Sequence, residues 1–157
     1  MSASTPQMKR EHGSLPPLAS RFVETEQIAW ETSRYEGIET KTLLVDPASG
    51  LLTMLMKMTA GSKLPDHEHV GIEQTWILEG SLECHEGSCS AGNFVWRPAG
   101  SRHEAWAGPN GVLLIGFFQL PNKFFEDDNQ VRDFLGRDWN ELWQNAYERQ
   151  ERARFSE

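Results

Sequence analysis

Disulfide bonds have almost nothing to work with in this chain, whose 157 residues include only the cysteines Cys84 and Cys89. Two such residues do not make a disulfide framework, and two reduced thiols are the expectation. Basic residues are in deficit: 15 Lys and Arg face 23 Asp and Glu, for a formal net charge of −8. A phosphate backbone or an anionic membrane surface would be repelled, so neither a nucleic-acid nor a membrane partner is expected. No run approaches the roughly 20 consecutive apolar residues of a membrane helix. The opening Met1-Ser2-Ala3-Ser4-Thr5-Pro6 lacks the basic-then-apolar pattern of a secretory signal, and a cytoplasmic protein is the default expectation. Internal repeats and low-complexity tracts are missing as well.

What is present suits one folded domain. The hydrophobic share of 38% is ordinary for a globular chain, and the length allows a single core but not two comfortable ones. Thirteen glycines and eight prolines imply many turns. Residues 1–20, with Pro6, Pro16 and Pro17 and no periodicity, read as a flexible tail. Residues 21–125 read as an all-β barrel, with short apolar runs at Ile38–Val45, Leu51–Met58, His67–His69, Gln74–Glu79, Ser81–Cys84, Phe94–Arg97, His103–Trp106 and Val112–Gln119. Asp46-Pro47-Ala48-Ser49-Gly50 is a turn sequence joining the first two as a hairpin. Further turns are expected at Gly80 and at Gly108–Gly111, among others.

Residues 126–157 form a different, helical segment. A short helix is predicted over Asp127–Leu135. After it, Asp138-Trp139-Asn140-Glu141 has capping-box spacing, and Trp139, Leu142, Trp143 and Ala146 recur at helical period. Glu148–Arg154 is charged and expected to fray. With too little core of its own, this segment should dock on the barrel or on a partner subunit.

The chemistry lies in His67, His69, Glu73 and His103. Residues i and i+2 of a strand share a face, so His67 and His69 present both imidazoles to one side. Gly71 permits a bend that returns Glu73 toward the same point. His103 arrives from a separate strand after the turn Pro98-Ala99-Gly100. Three imidazoles and one carboxylate suit a divalent ion such as iron, zinc, manganese or nickel. On the neighbouring strand Met54, Met56 and Met58 share one face, and Lys57 on the other face prefers water, so the methionines should look inward. With Ile77 and Ala105 they form the expected lining of a substrate pocket.

Two spacings extend the pattern. Gly61, His67, His69, Glu73 and Gly80 are separated by five, one, three and six residues; Gly92, Pro98, Gly100 and His103 by five, one and two. Both match the motifs of the cupin superfamily, which the chain strongly resembles. The resemblance implies a single-domain jelly-roll β-barrel with one mononuclear metal on His67, His69, Glu73 and His103, and commonly a homodimer. One position departs: the second motif usually closes with asparagine, and Ala107 stands there. The run His69-Val70-Gly71-Ile72-Glu73 is similar to a branch that includes the cupin domain of zinc-dependent anti-sigma factors and small stand-alone cupins with dioxygenase assignments. Anti-sigma activity is not expected, because residues 1–37 hold one histidine, His12, and no cysteine.

Coordination number separates two readings of function. An octahedral ion with two open positions suits a small chelating substrate, a diketone or hydroxyketone, and dioxygenase chemistry. A closed tetrahedral zinc suits a non-catalytic sensor or ligand-binding module. A second metal on Cys84-His85-Glu86-Gly87-Ser88-Cys89 lacks a clear fourth ligand. Trp76 and Trp96 are expected to pack outward, beneath the helix or at a dimer interface. Arg97 and Arg102 flank the second motif; either could hold an anionic substrate, while a surface arginine is the more usual outcome.

Overall fold

Ten strands arise where apolar residues alternate with polar ones between turns. They are β1 (Glu31–Thr32), β2 (Ile38–Asp46), β3 (Leu51–Met58), β4 (Lys63–Glu68), β5 (Glu73–Cys84), β6 (Gly87–Ser90), β7 (Phe94–Arg97), β8 (Arg102–Phe118), β9 (Lys123–Phe125) and β10 (Val131–Arg132). The computed structural model describes residues 3–156. All strand pairs are antiparallel, in one sheet of order β1-β2-β3-β8-β4-β9-β10, with β5 joining β6, β7 and β8. This mostly-β sheet curls on itself into a half-barrel and carries a C-terminal helix.

The β2–β3 hairpin closes as the turn sequence dictates. The Asp46 carboxylate accepts from Ala48 N at 3.2 Å and Ser49 Oγ at 2.6 Å, while Gly50 takes φ +85°. On β3 the methionines do face inward: Met54, Met56 and Met58 are buried and Lys57 is exposed. They join Ile38, Ile77, Leu114 and Phe118 in the main core.

Strand β8 holds the curl together. Val112–Phe118 lies between β3 and β5, and the preceding stretch pairs with β4. The turns expected at Gly80 and Gly108–Gly111 are irregularities inside long strands instead. Register slips between Ile77 and Glu79 and between Gly80 and Leu82, and both Gly80 (φ +71°) and Gly111 (φ +74°) are left-handed. A Cβ on Gly80 would fall 2.0 Å from Gly111 O, so the two backbones meet there only as glycine.

Two further expectations give way to tertiary pairing. Residues 127–135 form no helix: Asp127–Asn129 turns the chain, with Asn129 at φ +62°, and β10 pairs back on β9. Near the N-terminus, Ser4 and Val45 exchange backbone hydrogen bonds of 2.9 and 2.8 Å, and Thr5 and Met8 are buried. Part of the expected flexible tail is therefore packed on the edge of β2, where its backbone groups find partners. Residues 1 and 2 of that tail lie outside the described residues.

Helix α1 (Lys9–His12) is one turn, whereas α2 (Trp139–Phe155) is substantial. The Asp138 carboxylate accepts from Glu141 N at 2.9 Å, an N-cap. The helix runs on through the charged stretch expected to fray. Trp139, Trp143 and Ala146 are buried against Leu120, with Val45, Val70 and Val131 around them. Asp133 pins this contact. Its buried carboxylate accepts from Leu135 N, Arg137 N, Arg137 Nε and Trp143 Nε1. No helix among the described residues is long and apolar enough to cross a membrane.

Candidate metal centre

Strand β4 presents His67 inward, directly across from His103 on β8 and Phe124 on β9. His69 lies just past the end of β4, and its backbone continues the pairing: His69 N donates to Ser101 O at 2.8 Å, and Gly100 N donates to His69 O at 2.6 Å. The Pro98–Gly100 turn thus does two things. It delivers His103 and it clamps the backbone of His69.

The three rings meet as a triangle. Centroid separations are 4.9 Å for His67–His69 and 4.8 Å for both His67–His103 and His69–His103. Three nitrogens roughly 2.1 Å from one ion at near-right angles would space ring centres by about 4.6–5.0 Å. His69 Nε2 and His103 Nε2 stand 2.8 Å apart. His67 Nδ1 lies 2.7 Å from Pro65 O. A carbonyl only accepts, so Nδ1 carries the proton and Nε2 offers its lone pair.

Desolvation keeps His67 and His103 uncharged. Desolvation is the largest influence on His67, pushing it down to about 4, with the charge of His69 adding to it. Desolvation and then Arg97 push His103 down to about 3. Neutral imidazole is the ligand form of histidine, and His103 Nδ1 is buried without a hydrogen-bond partner. These residues fit a divalent ion.

Glu73 stands apart from that convergence. Its Oε2 is 2.6 Å from His69 Nδ1, the nitrogen on the other edge of the ring from Nε2, and Thr75 Oγ1 donates to its Oε1 at 3.2 Å. Burial alone would raise this carboxyl; the hydrogen bond and charge of His69, helped by His67 and Arg97, outweigh it and hold Glu73 down at about 2. The nitrogens that converge belong to His67, His69 and His103.

A cavity of about 180 Å³ opens beside the rings, lined by His67, Glu73 and His103. Of the pocket residues read from the sequence, Met54, Met56 and Ala105 line it; Met58 and Ile77 belong to the core and are not in its wall. Phe124 and Phe134, from the β9–β10 hairpin and the loop after it, line it too. Sequence reasoning missed them, although the apolar pair Phe124-Phe125 was a signal for one more strand. Arg97 also faces this cavity, its side chain only 13% exposed, whereas Arg102 is exposed and paired with Asp66.

A second convergence joins Cys84 and Glu86 to His103. It borrows its only histidine from the first, and the Glu86 side chain is 80% exposed. Cys84 and Cys89 are free thiols. Trp76 and Trp96 do point outward, but not under α2; they are 45% and 56% exposed on the outer face of the sheet.

Comparison with known proteins agrees with this architecture. A family model described as the ChrR cupin-like domain matches residues 19–121. No curated protein matches the chain. Among solved structures, an acetylacetone dioxygenase from Acinetobacter johnsonii superposes with a TM-score of 0.65 at 20% identity, covering 87% of this chain and 96% of that one. An RmlC-like cupin protein from Ralstonia eutropha JMP134 gives 0.65 at 19% identity, covering 86% and 87%. The complex of Rhodobacter sphaeroides SigE with the anti-sigma ChrR gives 0.52 at 21% identity, covering 59% and 49%. At these identities the likeness is one of fold.

Proposed function

Because the chain belongs to the ChrR cupin-like family, we propose that it is a metal-dependent cupin acting on a small oxygenated ligand beside a mononuclear centre. His67, His69 and His103 hold the ion, and Glu73 orients His69 through Nδ1. This divides the four-ligand set read from the sequence into three ligands and one positioning carboxylate. The observation that carries the reading is the triangle of three imidazoles, His67 and His69 buried and His103 half-buried, at the wall of a mostly apolar cavity. When bound, the ion supplies Lewis acidity and, if it is iron, oxidative chemistry toward a diketone- or hydroxyketone-like substrate. The chain's own contribution is to exclude water with Met54, Met56, Phe124 and Phe134 and to keep the ring lone pairs free. The dioxygenase among the similar folds supports the oxidative form of this reading.

A second reading is favoured by the family match itself: a non-catalytic sensor or ligand-binding module in which the metal supports folding. Metal analysis of protein purified without chelator or added metal, with coordination read from absorption spectroscopy, separates the two. Six-coordinate iron, manganese or nickel with exchangeable water supports the enzyme. Four-coordinate zinc with no water sinks it.

The partner in solution is a second copy of the chain. Trp76 and Leu78 on β5, Phe94 and Trp96 on β7, and Phe117 on β8 share one exposed face. At roughly 200 Å² per aromatic side chain, half exposed, this face offers about 500 Å² of apolar surface. That is somewhat over half of the ~800 Å² per partner of a standard interface. Two free thiols fit a reducing compartment such as the cytoplasm.

A further inference from the structure

Among the described residues, the cavity wall holds one cation whose carboxylate partner is distant and exposed. Arg97 sits on β7 beside β5, in register with Glu73. Its side chain is 13% exposed. Glu73, the carboxylate on the neighbouring strand, is engaged by His69 and Thr75. The closest carboxylate oxygen to Arg97 is Glu86 Oε1 at 3.9 Å, on a side chain that is 80% exposed, and the other contact is Cys84 Sγ at 3.8 Å. By contrast Arg137, the other cation in the wall, is held by Asp133 at 2.9 Å.

A mostly buried guanidinium left without a close counter-charge is costly unless an anion completes it. Its charge reaches the centre, since it acts on His103, His67 and Glu73. A divalent ion there would add more positive charge, which Glu73 alone does not balance. The rest of the cavity wall is mostly apolar, including Leu82, Leu114 and Phe118. It has little else to offer a negative group. The planar fork of arginine matches a carboxylate through two parallel hydrogen bonds.

We propose that Arg97 is a specificity-determining residue, and that the ligand of this cavity is a small oxo-carboxylate whose carboxylate docks on Arg97 while its oxo group faces the three histidines. The proposal deepens the metal-centre reading and rests on it for the oxo end, but the carboxylate end is tested separately. The probes are 3-oxobutanoate and pentane-2,4-dione, which share a skeleton and differ by a carboxylate oxygen in place of a methyl group. Dissociation constants are measured by calorimetry on the full chain, both as purified with its metal content assayed and after metal stripping.

Wild-type protein should bind 3-oxobutanoate at least tenfold more tightly than the dione in both forms. Arg97→Gln should abolish that preference while keeping the metal content of the wild type, and Arg97→Lys should retain part of it. Equal affinities for the two probes, no binding of either, or a preference that survives Arg97→Gln would overturn the proposal. Absence of metal from protein that still shows the Arg97-dependent preference would instead overturn the metal reading alone.

Discussion

Replacing Glu73 with glutamine asks whether this carboxylate works through His69 or binds the ion itself. Glu73 Oε2 lies 2.6 Å from His69 Nδ1, while His69 Nε2 faces His103 Nε2 at 2.8 Å. The two nitrogens point away from opposite edges of one ring, so a carboxylate seated at the first does not share an ion held at the second. Glutamine preserves the shape and one acceptor oxygen and removes the charge that orients the ring. Loss of such an outer partner costs about 10–100-fold in metal affinity, or roughly 1.4–2.7 kcal/mol. His67→Ala removes a ligand outright and should cost more. The assay is competition between metal-stripped protein and a chromophoric chelator at neutral pH, with bound metal counted at saturation. Glu73→Gln should still reach the wild-type stoichiometry, with a dissociation constant raised by that factor. If it instead loses metal as completely as His67→Ala, the reasoning fails and Glu73 is a direct ligand.

Other expectations follow from the same geometry. In the metal-free protein, His67 stays neutral down to about 4 while the unfolded chain takes up a proton below 6.5. Stability should therefore fall as pH drops from 6.5 toward 4, by about 2 kcal/mol at pH 5 from this ring at 1.36 kcal/mol per unit. Glu73 has the same sign, but its loss begins only below its ordinary 4.5 and runs down toward about 2, so it adds little to the trend above pH 5. Urea unfolding at pH 7, 6 and 5 measures this, and a flat profile counts against it. Asp133→Ala should cost about 3–5 kcal/mol, because it strands the buried Trp143 Nε1–H and uncouples Arg137; thermal unfolding that changes by less than a degree or two would contradict the role given to it. Trp96→Glu should shift the protein from dimer to monomer in light scattering without loss of bound metal. A monomeric wild type would refute that interface.

The convergence of the three histidines was legible because their spacing is local: a strand period of two sets His67 beside His69, and Pro98-Ala99-Gly100 aims His103. Glu73 was legible as a member of the group, but its place at the outer nitrogen of His69 was not, since ring orientation depends on packing around it. Arg97 was left open between a surface arginine and a holder of an anionic substrate, because nothing in its neighbours along the chain tells that the curl of β5 against β7 and β8 turns it inward. Residues 127–135, which hold β10, were read as helix for a similar reason. Strand β10 is two residues long, and pairing with β9, itself held on β4, rather than local propensity decides its state.

Alternation along β3 determined by itself which methionines face the core, and the N-cap at Asp138 with the spacing of Trp139, Trp143 and Ala146 determined the helix and its buried side. These are short-range consequences of backbone period and hydrogen bonding. The tertiary structure alone decided that Gly80 and Gly111 kink continuous strands rather than end them, because the constraint is a contact between backbones 31 positions apart. It alone decided, too, that Met54 and Met56 line a cavity while Met58 fills the core. All three obey one alternation, and only the curl of the sheet separates them.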